Sequence, residues 1–271
     1  MRKLAVLMGI WVYEHAENLP ACENDITEMY QLLKATGKYQ ILKISPDLSK
    51  SQVVEELEEF LKLNEEETEI EELFFYYSGH GYHDNVDFHF ILKDTEFEKI
   101  NASSLNNQEL DNIVPVIINN NNGTIIDNYP FLYYIKRFDK SNNIENIVLK
   151  SNKEFKNCIF MSSSKSNEPS VATERSSVFT NAFVSAVLDR VETDIIYYSD
   201  IQNYITDEFN KEKYVQTPYF SMQFDGRAVF TNVTEQLKEL ASSKTKLLEP
   251  IADIEGSLNK KIDRYLSMYR T

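Results

Sequence analysis

The sequence predicts an α/β fold, a sheet with crossover helices followed by a helical appendage. Three observations predict it. Apolar runs of strand length alternate with helical patterns along most of the chain, the signature of a sheet whose strands are joined through helices. The strand-like runs are near-continuous in apolar residues, as strands covered on both faces require. At 271 residues, with 42% hydrophobic and 12% aromatic side chains, the chain fills one large core with material left for an appendage.

The elements follow in order. "KLAVLMGIWVY" reads as the first core strand: the apolar run after the basic start is short and lacks an A-x-A-like cleavage site, so it is not read as a signal peptide. From Asn24 to Ala35, Ile26, Met29, Tyr30, Leu32 and Leu33 recur at helical spacing, and Gly37 stops the helix. "QILKIS" is the second strand. Pro46 and Asp47 are expected to open the next helix, with Val53, Val54, Leu57, Phe60 and Leu61 on its apolar face. The acidic "NEEETEIEE" reads as a solvated connection to the strand "LFFYYSG". A short strand "DFHFIL", a helix from Asn107 to Ile118 and a short strand "TIIDNY" follow.

The polar, Asn-rich segment 136–153 reads as a long mobile linker. It divides a domain spanning 1–232 into parts 1–135 and 154–232. The second part holds the strand "NCIFMSSS", a helix "SSVFTNAFVSAVLDR" with Ser177 as N-cap, a helix "SDIQNYITDEFNKE" and a last strand "RAVFTN". Beyond it, 233–271 carries Leu237, Leu240, Leu247, Ile251, Ile254, Leu258, Ile262, Tyr265 and Tyr269 at three- and four-residue steps. This is an amphipathic helical tail, broken at Pro250. It is expected to pack back on the sheet, with dimerisation as the alternative.

Composition excludes some functions. A net charge of -15 argues against a nucleic-acid or anionic-membrane surface and suits a basic partner. No window approaches the roughly 18 apolar residues of a membrane span, and a cytoplasmic location is expected. Cys22 and Cys158 make neither a disulfide framework nor a zinc site, and both are expected to pack as small apolar residues. His83 and His89, within "HDNVDFH", are read as surface residues with no metal role.

"FFYYSGHG" is the segment with chemistry in it. A buried aromatic strand ends in Ser78-Gly79-His80-Gly81 and delivers one imidazole, flanked by glycines, to the rim of a sheet. With "LPACENDITEMYQLL", "CIFMSSSKSNEPSVATERSSVFTNAFVSAV" and "QTPYF" in that order, the chain resembles the caspase-like cysteine peptidases, in particular their bacterial and metacaspase branch. The resemblance spans Leu4 to Asn232. It implies a caspase-like fold, with a central, mostly parallel sheet flanked by helices on both faces. It also implies nucleophilic acyl transfer, with His80 as base and the Gly81 amide as oxyanion donor.

The family's nucleophile follows an Asp-x-Cys-x-x-Gly pattern at the end of the next strand. Aligned here, Asp127 takes the Asp, and Tyr129 falls on the cysteine. A phenol is a far weaker nucleophile than a thiol, so hydrolysis is expected to be lost. By the same resemblance Asp25 and Asp127 form an acidic pocket for Arg or Lys, with helix and strand capping as the plainer reading. Ser163 and Ser164 lie along the peptide groove. The expectation is a pseudopeptidase in which a peptide or protein partner, basic in character, binds, and which pairs as a homo- or heterodimer. The alternative is an active cysteine endopeptidase cleaving after a basic residue. Calcium and a part in bacterial defence are implied by family analogy alone.

Overall fold

The computed structural model describes residues 2–65, 70–84, 87–118, 131–136, 158–164, 170–173, 175–212, 214, 216–223 and 227–245. Asp127, Tyr129, most of segment 136–153 and the tail beyond 245 therefore lie outside the described residues.

Six strands form the main sheet: β1 (Arg2–Gly9), β2 (Tyr39–Ile44), β3 (Ile70–Ser78), β7 (Phe131–Lys136), β8 (Cys158–Ser162) and β10 (Tyr219–Gln223). Their spatial order is β10-β8-β7-β3-β1-β2. All neighbours are parallel except β10, which runs antiparallel to β8. A three-stranded antiparallel sheet of β4 (Gly81–His83), β5 (Phe88–Phe90) and β6 (Leu105–Asn106) lies beside the end of β3. A further pair joins β9 (Ile195–Tyr197) to β11 (Val229–Asn232).

Side-chain alternation along the strands divides the core into two layers. Leu4, Val6 and Met8 of β1 and Leu73, Phe75 and Tyr77 of β3 face one side. There they meet Val53, Leu57 and Leu61 of α2 (Lys50–Glu65) and, after the one-turn α3 (Ile100–Ser103), Leu110 and Ile113 of α4 (Asn107–Ile118). Ala5, Leu7, Phe74 and Tyr76 face the other. They meet α1 (Ala21–Thr36), α5 (Val178–Leu188) and α6 (Tyr198–Glu212). Both faces are covered, which is why these strands carry no polar alternation.

The end of α1 follows its glycine: Gly37 takes φ 68° and its N–H donates to the Lys34 carbonyl. The start of α2 differs from expectation. Pro46 and Asp47 form a turn, and the helix begins at Lys50. The Gln52 amide oxygen accepts from both the N–H and the hydroxyl of Ser49, a capping-box arrangement that sets the boundary three residues later. "TIIDNY" lies outside the described residues, and the strand paired with β3 is Phe131–Lys136. Strands β9 and β10 were not expected, being short and only partly apolar.

At the end of the sheet opposite Ser78, Glu72 is 2% exposed and takes ion pairs from Lys38 at 3.1 Å and Lys3 at 3.0 Å. After β11, α7 (Glu235–Thr245) packs back on the domain: Leu237 is buried, and the Thr234 hydroxyl donates to the Ala35 carbonyl at 2.5 Å. Among the described residues, no helix is long and apolar enough to cross a membrane.

Candidate functional site

Strands β1 and β3 run in register to their ends, Gly9 opposite Ser78, and Ile10 N–H closes the ladder on the Ser78 carbonyl at 2.9 Å. Past that point the chain turns through Gly79 into His80. Two phenols hold the turn. The Tyr13 hydroxyl accepts the His80 N–H at 2.8 Å and donates to the Ile10 carbonyl at 2.8 Å. The Tyr77 hydroxyl donates to the His80 carbonyl, and the Ile91 N–H reaches the same oxygen at 3.1 Å. The backbone of His80 is thus fixed on both sides. Gly79 is required by the same packing: a Cβ there would lie 2.5 Å from the Tyr77 hydroxyl and 2.7 Å from that of Tyr13.

The His80 imidazole is half-buried and meets the Tyr13 ring at a tilt of 54°, with centroids 4.7 Å apart. Its Nε2 lies 2.7 Å from the carbonyl oxygen of Glu17. A carbonyl only accepts, so Nε2 carries the proton of this bond. Glu17 and Tyr13 were not singled out in the sequence. A backbone acceptor has no residue signature, and nothing in "WVYEHAEN" tells a core tyrosine from one that anchors the histidine. Gly81 opens β4 opposite Phe90, while its neighbour His80 makes the ladder bond to Ile91. Antiparallel alternation then turns the Gly81 N–H away from β5.

Asp25 sits inside α1, fully buried. Its carboxylate accepts from the Ser78 hydroxyl at 2.6 Å, the Ser177 N–H at 2.7 Å and the Ser177 hydroxyl. It thereby joins α1, the end of β3 and the N-terminus of α5, where backbone N–H groups favour an anion. Ser177 is the N-cap of α5, but its hydroxyl is spent on Asp25 and makes no cap bond. Burial raises the Tyr76 phenol well above its usual range, and the Asp25 charge adds to the effect. Asp127, the proposed second acid of a cation pocket, lies outside the described residues.

Ser162, Ser163 and Ser164, at the end of β8, are all buried. The Ser163 and Ser164 hydroxyls share Ser170, at 2.5 and 3.1 Å. Gln216, from "QTPYF", ties Ser163 to Val171: its amide N–H₂ donates to the Ser163 carbonyl at 2.6 Å and its oxygen accepts the Val171 N–H. The serine hydroxyls are buried rather than open to solvent.

Strand register locates the cysteines. Leu73 of β3 pairs with Leu132 of β7, which pairs with Cys158 of β8. Cys158 is therefore seven residues short of the level of His80, about 23 Å along the sheet. Cys22 is completely buried in α1. The same register brings Ile135 opposite Tyr76 and ends β7 at Lys136. Tyr129, the nucleophile position of the sequence alignment, lies outside the described residues.

One expectation is corrected. His89 is not a surface residue but is fully buried in β5. Its Nδ1 lies 2.9 Å from the Ser104 hydroxyl, and that hydroxyl donates to the Ile100 carbonyl at 2.6 Å, so Nδ1 is the donor of the pair. Its Nε2 is 3.2 Å from an Asp84 carboxylate oxygen, an ion-pair distance without hydrogen-bond alignment. Alternation hid this: β5 is buried on both faces. Among the described residues, no three His, Cys, Asp or Glu side chains gather as metal ligands. Asp87 accepts the N–H groups of Phe88 and of Gln108 at the start of α4.

A family model described as the caspase domain matches residues 2–229. The crystal structure of protein GSU0716 from Geobacter sulfurreducens superposes with a TM-score of 0.58 at 14% identity, over 86% of this chain and 100% of that one. At that identity the likeness concerns the fold alone. No curated protein sequence matches the chain.

Proposed function

The chain belongs to the caspase-domain family, and on that premise we propose that it is a pseudopeptidase: a peptide-binding or regulatory module that keeps the histidine half of the site and has lost the thiol half. One observation carries this reading. No cysteine occurs between Cys22 and Cys158, the span that holds every candidate for the strand end beside His80. The reading therefore does not depend on which residue, Tyr129 or one following Lys136, stands there. Cys22 is sealed in α1, and Cys158 lies at the wrong end of β8.

The half that persists is well suited to holding a peptide. Proton-bearing Nε2 is anchored on Glu17, which fixes the orientation of the ring. By the family resemblance the Gly81 N–H donates to a guest carbonyl, and the Ser163 backbone, held by Gln216, borders an extended segment. A preference for basic guests rests on the acidic surface, because the Asp25 carboxylate is already committed to Ser78 and Ser177.

The test pairs binding with turnover. Fluorescein-labelled and fluorogenic peptides containing Arg or Lys should bind the full chain without release of the fluorophore. Turnover abolished by both His80→Ala and Cys22→Ala would replace this reading with an active endopeptidase cleaving after basic residues.

A further inference from the structure

Beside His80, on the side of β4, two large aromatic rings stand open. Tyr82 is 40% and Phe97 47% exposed, and their rings meet edge to face at 6.0 Å. Tyr82 lies in β4, two residues beyond His80. Strand β4 is paired on one side only among the described residues, to β5. Its bonds to β5 fall at His80–Ile91 and Asp84–Asp87. Alternation therefore turns the N–H and C=O groups of Gly81, itself buried, and of His83 away from β5, on the side where no strand pairs among the described residues.

The surroundings are acidic. Glu14, Asp94, Glu96 and Glu98 are exposed on the loop after β1 and on the segment that carries Phe97, and the Glu14 N–H bonds the Lys93 carbonyl at 2.9 Å, which joins the two. The nearby lysines are already engaged, Lys93 with Asp47 at 2.6 Å and Lys99 with Glu96 at 2.8 Å.

From this combination we propose that the outer edge of β4 and the Tyr82–Phe97 pair form a second subsite for an extended segment of a partner protein, whose Arg or Lys side chain lies on the two rings. Each part selects for that guest. The edge supplies backbone pairing of the antiparallel or parallel kind. Ring faces attract a cation and cover its aliphatic stem. The carboxylates raise the local concentration of a basic chain and repel an acidic one. The inference rests on the peptide-binding reading of the His80 site and extends it past Gly81, so that a guest held at His80 continues along β4.

The experiment is a fluorescence-anisotropy titration of the full chain with two labelled peptides of one strand-forming pattern, one bearing Arg and the other Glu. The Arg peptide should bind and weaken with added salt. The double variant Tyr82→Ser/Phe97→Ser, both positions being exposed, should reduce its affinity about tenfold. His80→Trp, which fills the cleft, separates this inference from the reading beneath it. Loss with His80→Trp but none with the double variant overturns the β4 subsite and leaves the cleft reading standing. Loss with the double variant but none with His80→Trp supports the subsite and removes the cleft from peptide binding. Equal affinity for the Glu peptide overturns the charge argument, and a fall in sedimentation mass with the double variant would assign the face to a second copy of the chain instead.

Discussion

Replacing Gly79 with alanine probes the device that holds His80. A Cβ at this position lies 2.5 Å from the Tyr77 hydroxyl and 2.7 Å from the Tyr13 hydroxyl, where ordinary contact begins at 3.4 Å. The phenols must retreat by about 0.9 and 0.7 Å, the differences between those distances. Neither ring has room, since Tyr77 is 1% and Tyr13 7% exposed. Overpacking of this kind costs about 1–3 kcal/mol. The retreat also stretches the Tyr13 bond to the His80 N–H and the Tyr77 bond to the His80 carbonyl, each contributing about 1 kcal/mol. A total loss of about 3–5 kcal/mol follows. Urea unfolding measures it, and nitrogen-15 NMR of the imidazole reports whether His80 has moved off Glu17. Gly37→Ala is the comparison: its φ is 68°, but nothing lies within 4 Å of the added methyl, so it should cost about 1 kcal/mol and leave the His80 signals in place. A Gly79→Ala variant within about 0.5 kcal/mol of the parent, with an unshifted imidazole, would refute the two-tyrosine clamp.

Two further predictions concern Asp25, at the same end of the sheet as His80, and Lys38, at the opposite end. Asp25→Ala removes the acceptor of two hydroxyls and one N–H and should cost about 3 kcal/mol or more, with Ser177→Ala costing about 1–3 kcal/mol; chemical denaturation of Asp25→Ala within about 0.5 kcal/mol of the parent would instead mark a carboxylate kept available for a cation. Burial lowers the Lys38 amine to about 8 from 10.5, outweighing the attraction of Glu72. Below pH 8 this lysine is charged in both folded and unfolded chains; between about 8 and 10.5 the unfolded chain holds the extra proton, so stability rises with pH. Relative to Lys38→Met, the parent should gain about 2 kcal/mol from pH 7.5 to 9.5, and a flat difference would show that the buried amine keeps its proton.

The strands and helices that build the sheet were legible because both-face burial writes itself as apolar runs, as in "LAVLMG" and "LFFYYS", and amphipathic helices as three- and four-residue steps. His80 was legible for a related reason: a polar residue set between two glycines at the end of an apolar strand stands out from the run before it. What escaped is carried by backbone atoms or by pairings far apart in sequence. Glu17 acts through its carbonyl. Asp25 meets Ser177 across 152 residues, so its pairing with the α5 cap has no local pattern. His89 looked like a surface residue because its partners, Asp84 and Ser104, come from the hairpin turn and the approach to β6. The antiparallel β10 was missed because "YFSMQ" is half polar, as an edge strand is free to be.

The central claim is that His80 has no thiol to serve. Intact-protein mass spectrometry after incubation with an Arg-acyloxymethylketone probe tests it most directly, on the parent chain and on His80→Ala. The account predicts no covalent adduct on either protein while both remain folded. A His80-dependent adduct on Cys22 or Cys158 would contradict it and establish a working cysteine peptidase.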